Sequence, residues 1–92
     1  MRDMTGRIPC AVLGCGRTFK AQFEGERVIC GRHWRLADSW ARRICGRLLR
    51  RAAKFVPAGT WAGDGMTARE HRVYSGLWER SLRQATERQA GL

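Results

Sequence analysis

The sequence predicts a small α+β domain that is held together at its N-terminal end by a bound metal. Three observations support this class: cysteine and histidine residues at ligand-like spacing between residues 10 and 33, two short β-prone runs, and two amphipathic helical stretches. With 92 residues the chain is expected to form a single domain, 1–92. A domain of this size buries only about 60–65% of the surface of its unfolded form, so a metal would add substantially to its stability.

The candidate metal ligands follow the pattern C-x4-C-x14-C-x2-H and are Cys10, Cys15, Cys30 and His33. Gly14 lets the first pair turn around one point, and the second pair, at positions i and i+3, shares a helix face. The partial positive charge at the start of that helix favours a thiolate at Cys30. A structural zinc ion prefers four such ligands, so we predict one structural Zn²⁺ per chain. Two disulfides or unrelated buried thiols are the alternative.

A β-hairpin is expected between the two halves of this ligand set. The runs "RTFKAQF" (17–23) and "ERVIC" (26–30) are β-prone and flank Glu24 and Gly25. Short β-prone runs around a glycine turn are typical of a hairpin. Such a hairpin would bring both halves of the ligand set to one point.

A long amphipathic helix is expected from Gly31 to about Phe55, where proline is absent and apolar residues recur at helical spacing. Cys45 falls on the apolar face, as a small core side chain. The segment 31–55 contains eight basic residues and one acidic residue, and so carries +7 of the net charge of +10. Its candidate nucleic-acid contacts are Arg32, Arg35, Arg43, Arg47, Arg50 and Lys54.

A second helix is expected after a loop. Residues 56–66 contain Pro57 and three glycines, which favour a loop. Thr67 followed by Glu70 is a capping-box signature, so the segment 67–90 should form a C-terminal helix, from Ala68 to about Gln89. One face of this helix, expected to pack on the long helix, presents Tyr74, Leu77, Trp78, Ser81 and Ala85.

The order of a cysteine turn, a hairpin and a helix whose first turn supplies the last two ligands resembles the treble-clef zinc finger group over residues 10–55. This resemblance implies a fold that serves in nucleic-acid binders, protein adaptors and nucleases, and the fold alone does not choose among them.

A nuclease of the HNH kind would need a histidine base near the hairpin and His or Asn ligands on the helix. The chain contains no asparagine. A zinc ion with four protein ligands also leaves no position for water, so we expect no enzymatic activity.

The basic face of the long helix predicts binding to nucleic-acid phosphates, with duplex DNA as the first expectation and RNA as the second. A regulatory role and a bacterial or phage origin would fit this small arginine-rich chain. The alternative is a zinc-stapled adaptor or inhibitor that binds an acidic surface of a protein partner. Trp40 and Trp61 are its candidate anchors, because Trp and Arg dominate interface hot spots. A merely solvated basic face, and a Trp61 that folds back over the helices, are the plainer interpretations.

Neither a leader peptide nor an apolar run long enough to cross a membrane is evident in the sequence. We therefore expect a cytoplasmic protein with no membrane partner and no small-molecule substrate.

Overall fold

The structure, a computed structural model, describes residues 7–22 and 26–91. In chain order its elements are β1 (Arg7–Pro9), β2 (Thr18–Lys20), α1 (Gly31–Trp34), α2 (Ser39–Ala52) and α3 (Ala68–Gln89), with 3-10 turns at Ala53–Phe55 and Ala62–Gly65. The predicted small α+β class is confirmed. Within the described ranges no helix combines the length and the apolar character that crossing a membrane would need.

A hairpin is present, but it is not the predicted one. It lies on either side of the first ligand pair, Cys10 and Cys15, and does not join the two halves of the ligand set. β2 lies in the run 17–23 and pairs antiparallel with β1, so that Ile8 lies opposite Phe19. Both of these residues are half-buried, and Phe19 packs against a buried cluster that contains Cys10 and Cys30. The Arg7 guanidinium adds a hydrogen bond of 2.8 Å to Thr18 Oγ1. This apolar cross-strand pair and the polar contact beside it favour β1 as the partner of β2.

The run 26–30 does not form the predicted second strand of that hairpin. Its contribution to pairing among the described residues is an isolated parallel bridge between Val28 and Cys10. The predicted turn at Glu24 and Gly25 lies outside the described residues. The segment instead runs as an extended connection that delivers Cys30 to the start of α1.

The single helix predicted over 31–55 is also wrong, because the chain breaks between α1 and α2. The backbone N–H groups of Leu36 and Ala37 donate to carbonyls three residues earlier, at His33 and Trp34, which tightens the chain into a turn. Asp38 then adopts an extended conformation, with ψ 135°, as the N-cap of α2.

Contacts between Asp38 and α3 explain the break. The Asp38 N–H donates to Gln84 Oε1 at 3.0 Å. Its carboxylate accepts hydrogen bonds from Gln84 (2.8 Å), Arg88 (3.1 Å) and Arg80 (3.4 Å). These contacts, that from Gln84 foremost, lower the pKa of Asp38 to about 2. Because the folded-state pKa is depressed, the stabilisation is complete above the ordinary pKa of about 4 and is lost as the pH falls through about 2.

Helices α2 and α3 pack antiparallel. Asp38, at the start of α2, contacts the C-terminal half of α3, whereas Arg51, near the end of α2, lies 3.6 Å from Glu70 in the first turn of α3. The buried residues of the two helices are all small, which lets neighbouring elements approach closely. They are Ala41, Cys45 and Ala52 on α2, and Ser81 and Ala85 on α3. Cys45 is therefore the core side chain that the sequence predicted, and burial raises the pKa of its thiol.

Helix α3 begins and ends where the sequence predicted, and its capping box is formed. The Glu70 N–H donates to Thr67 Oγ1 at 3.1 Å, and the Thr67 N–H donates to Glu70 Oε1 at 3.0 Å. These reciprocal bonds satisfy backbone donors that the first helical turn cannot pair.

The glycine-rich segment packs back onto the helices. Trp61 is half-buried, and its ring lies against Gly63 and edge-on to the His71 ring, with centroids 5.9 Å apart. The fold-back arrangement that the sequence left open for Trp61 is thus the observed one. Gly65 lies against the Ala52 carbonyl so closely that a Cβ atom would overlap that backbone.

We expect Gly65→Ala to lower the free energy of unfolding by about 1–3 kcal/mol, since the added methyl group must displace the backbone at the end of α2. Gly76→Ala on α3 is the matched control, because a Cβ there meets no atom within 4 Å. It should be neutral or stabilise by up to about 1 kcal/mol, as replacing an exposed helical glycine does. Urea denaturation of both variants measures the difference, and equal stabilities would contradict this packing.

Candidate metal centre

The four predicted ligands are brought together in the structure. One ligand atom from each of Cys10, Cys15, Cys30 and His33 lies within 4.8 Å of all the others. Cys15 Sγ is 3.8 Å from Cys30 Sγ, and His33 Nδ1 is 3.2 Å from Cys30 Sγ and 3.9 Å from Cys10 Sγ. Tetrahedral ligands at the usual zinc–sulfur distance of about 2.3 Å lie about 3.8 Å apart. The cluster therefore has the size that one tetrahedral ion requires.

The alternative of disulfide bonds does not fit this geometry. All four cysteines of the chain are free, and the Sγ atoms of Cys15 and Cys30 are separated by 3.8 Å. A disulfide requires about 2.05 Å. The residues are thus positioned to bind a metal ion, and three thiols with one imidazole form a donor set that structural zinc sites use.

The first half of the site is a turn that follows β1. The Cys10 N–H donates to the Arg17 carbonyl at 2.9 Å, and the Cys15 N–H donates to Val12 at 3.2 Å. Gly14 has a φ of 82°, a left-handed conformation that glycine adopts without steric cost. Within the turn Val12 is 1% exposed, so its side chain anchors the loop in the core.

The second half is built around Cys30, the N-cap of α1. Its backbone is extended, and α1 places His33 one turn further on, facing the same point. The Ala11 N–H donates to the Val28 carbonyl at 2.7 Å, which holds the two halves side by side. The Cys30 N–H donates to Cys10 Sγ at 3.2 Å. A backbone N–H that donates to sulfur favours a thiolate at Cys10 and is typical of metal-bound cysteines.

Local hydrogen bonds account for the electrostatics of Cys30 better than the predicted helix dipole does. Burial raises the pKa of this thiol, but hydrogen bonds from the backbone and the ring of His33 outweigh it and lower the pKa to about 6. Helix α1 has four residues, too few for a large macrodipole. Cys30 is therefore poised to ionise, as a metal ligand must.

Helix α3 covers the metal centre, which the sequence did not predict. Cys10, Val12 and Cys30 form one buried cluster with Ala85, and Leu82 packs against it. The sequence assigned Ala85 to the contact with the long helix alone and gave Leu82 no role. Leu82, an apolar residue beside the predicted face, was the feature of the sequence that could have indicated a second contact for this helix. The C-terminal helix thus joins the metal site to α2.

The predicted nucleic-acid contacts do not lie on one helix. Arg43, Arg47, Arg50 and Lys54 follow one another along α2 and the 3-10 turn after it, and we call these four residues the basic strip. Arg32 lies on α1 and Arg35 is its C-cap, so the break at Asp38 separates both from the strip. All six are exposed, and within residues 7–22 and 26–91 none of them forms a salt bridge.

Of the two candidate anchors, Trp40 is the more accessible. It is 43% exposed and lies beneath the Arg80 guanidinium, 5.3 Å from the ring centroid. Trp61 is the half-buried residue that packs on Gly63 and His71.

Neither the protein-family models nor the curated proteins and solved structures with which the chain was compared match it. The function must therefore be argued from the geometry of the chain itself.

Proposed function

We propose that this protein is a zinc-stabilised nucleic-acid-binding protein. In this proposal a treble-clef-like unit holds one structural zinc ion through Cys10, Cys15, Cys30 and His33, and the basic strip binds phosphates. The zinc has no catalytic role, because four protein ligands leave no open position on the ion.

The clustering of exposed, unpaired basic side chains along α2 and the turn after it carries the proposal. Some arginines of the described residues form ion pairs, such as Arg27 with Glu79 at 2.6 Å and Arg88 with Asp38 at 3.1 Å, whereas others, such as Arg72 and Arg83 on α3, do not. The basic strip is exposed, and no carboxylate of the described residues pairs with it. α2 contains no acidic residue, whereas α3 contains three, and a general excess of arginine does not by itself account for that difference.

The length of the strip suits a nucleic-acid backbone. From Arg43 to Lys54 the chain rises about 16 Å at 1.5 Å per residue. One strand of B-form DNA presents a phosphate about every 3.4 Å along its axis while it winds around that axis, so a straight strip of this length would face a few phosphates. Guanidinium groups suit such contacts because their donors pair with two phosphate oxygens at once.

Zinc would act through the orientation of the helices. The ion fixes α1 and the turn beneath α3, α3 holds the N-cap of α2 through Asp38, and α2 presents the strip. Loss of the metal would therefore release the surface that binds.

A protein partner is the second candidate, and the exposure of Trp40 is the observation that favours it. An acidic partner could place a carboxylate on the basic strip and an apolar side chain against this ring. Binding experiments with the purified protein distinguish a nucleic-acid partner from a protein partner.

Fluorescence anisotropy with duplex DNA, single-stranded DNA and RNA, at about 50 and 200 mM salt, tests the proposal. We expect binding that weakens steeply with salt, because each neutralised phosphate contributes about −0.9 to the slope of log K against log salt. A zinc chelator should abolish it. Absence of binding to all three at the lower salt would refute the proposal. Capture of a protein from nuclease-treated lysate that Trp40→Ala abolishes would then favour the adaptor.

A further inference from the structure

A groove of about 300 Å³ opens between the metal-binding segment, α2 and α3. Three aromatic residues line it: Trp34 at the end of α1, and Tyr74 and Trp78 on successive turns of α3. All three are half-buried, so part of each ring faces solvent. The volume lies at the lower end of the range for small-molecule pockets, which suits one ring system and not a base pair.

Gly46 keeps the groove open on its α2 side. It occupies an interior position of α2, where glycine weakens a helix relative to alanine. A Cβ atom at Gly46 would meet only the tip of the Arg50 side chain, at 3.1 Å. The helix backbone therefore forms this part of the wall, with the flexible end of the Arg50 side chain beside it.

Two guanidinium groups lie at the edges of the groove, one of them paired with a carboxylate. The Arg27 guanidinium stacks over Trp78, 4.4 Å from the ring centroid, and is fixed there by two hydrogen bonds to Glu79. Arg42 donates through Nε to the Ala37 carbonyl at 3.3 Å, and no carboxylate of the described ranges pairs with its guanidinium.

The groove is continuous with the basic strip. Arg50 belongs to the strip, and its guanidinium lies beside Gly46 in the groove wall. Arg42, on the groove side, directly precedes Arg43 of the strip. A chain of phosphates on the strip would therefore pass the mouth of an aromatic groove.

We infer that the groove receives one unpaired nucleobase of the nucleic acid whose phosphates lie on the basic strip, an inference that rests on the proposed function. Unstacked bases bind by stacking on aromatic rings and guanidinium planes, and both line this groove. An acidic peptide could pair with the Arg42 guanidinium but would not need an aromatic lining. The preferred ligand is thus a strand with a bulged, flipped or single-stranded nucleotide.

The test compares two fluorescein-labelled duplexes that differ by one bulged adenine, with the zinc-loaded protein at about 100 mM salt. We expect about 10-fold tighter binding to the bulged duplex, because stacking of one base on an aromatic ring is worth about 5- to 150-fold in affinity. Tryptophan fluorescence should also be quenched more by the bulged duplex, since Trp34 and Trp78 line the groove.

Two variants with the same substitution, one in the groove wall and one outside it, assign the preference to the groove. Gly46→Leu fills the groove with a residue that favours the helix, and the ratio of the two affinities should fall to about 1. Gly76→Leu, the same substitution at an exposed position of α3 outside the groove lining, should keep the ratio, because a Cβ there meets no atom within 4 Å. Zinc content and far-UV circular dichroism confirm that both variants are folded.

Each contrary result has a distinct meaning. Equal affinity of the native protein for both duplexes overturns the inference and leaves the proposed function standing. A preference that survives in folded Gly46→Leu also overturns it, because the base then binds elsewhere. No binding to either duplex refutes the proposed function itself. An acidic peptide with a central phenylalanine that quenches the tryptophans when the bulged duplex does not would assign the groove to a protein.

Discussion

Cys30→Ser is expected to abolish both zinc binding and the cooperative fold. Cys30 is 1% exposed, its Sγ lies 3.8 Å from Cys15 Sγ and 3.2 Å from His33 Nδ1, and it belongs to the buried cluster with Cys10. Binding of structural zinc contributes about 10–16 kcal/mol in small zinc-binding peptides. The whole stability of a domain is only about 5–15 kcal/mol, so loss of the ion should leave the chain unfolded.

Elemental analysis and far-UV circular dichroism measure this outcome: about one zinc per chain and a helical spectrum for the native protein, and neither for Cys30→Ser. Cys45→Ala is the matched control, because Cys45 is equally buried but lies in the α2–α3 contact. It should retain the zinc and lose at most a few kcal/mol of stability. A Cys30→Ser protein that is folded and free of metal would contradict a structural role for zinc.

Metal ligands were the part of the site that sequence could predict, because ligand spacing is a local property. Cys30 and His33 meet through one helical turn, and Cys10 and Cys15 meet through one loop with a glycine. Neither pair depends on how distant elements pack. The capping box at Thr67 and Glu70 was predictable for the same reason.

Features that depend on tertiary contacts were predicted wrongly or not at all. The strand that pairs with β2 was chosen by the apolar contact of Ile8 with Phe19, across the metal-binding turn. In the sequence Asp38 is one polar residue within a helical pattern. In the structure it is the N-cap of α2, because Gln84 and Arg88, 46 and 50 residues later, donate hydrogen bonds to its carboxylate. Periodicity within one segment contains no information about such partners.

The break at Asp38 changes where the basic side chains of residues 31–55 lie. A single helix would have carried all the predicted contacts in one line, with Arg32 and Arg35 at its start. In the structure only the four residues of the basic strip follow one another on α2 and the turn after it. α1 is a separate helix, and its last residue, Trp34, lines the groove beside α2. The same aspartate fixes α2 to the helix that covers the metal site, so metal binding and presentation of the strip depend on one set of contacts.

Reversal of charge at two positions of the basic strip, Arg47→Glu with Arg50→Glu, should weaken binding to duplex DNA about 10²-fold at about 0.1 M salt. Each phosphate contact contributes about −0.9 to the slope of log K against log salt, so two contacts amount to nearly two decades at this concentration. The slope itself should become shallower by about 2. Both residues are exposed, and neither forms a salt bridge within the described residues, so the fold should not change.

Arg72→Glu with Arg83→Glu makes the same change in net charge on α3, where both side chains are also exposed. At this salt concentration charges are screened beyond about 10 Å, so a change of net charge away from the bound phosphates should weaken binding only several-fold and leave the slope nearly unchanged. Anisotropy titrations of both double variants at several salt concentrations make the comparison. If the two variants weaken binding equally, the affinity arises from total charge, and the basic strip is not the binding surface.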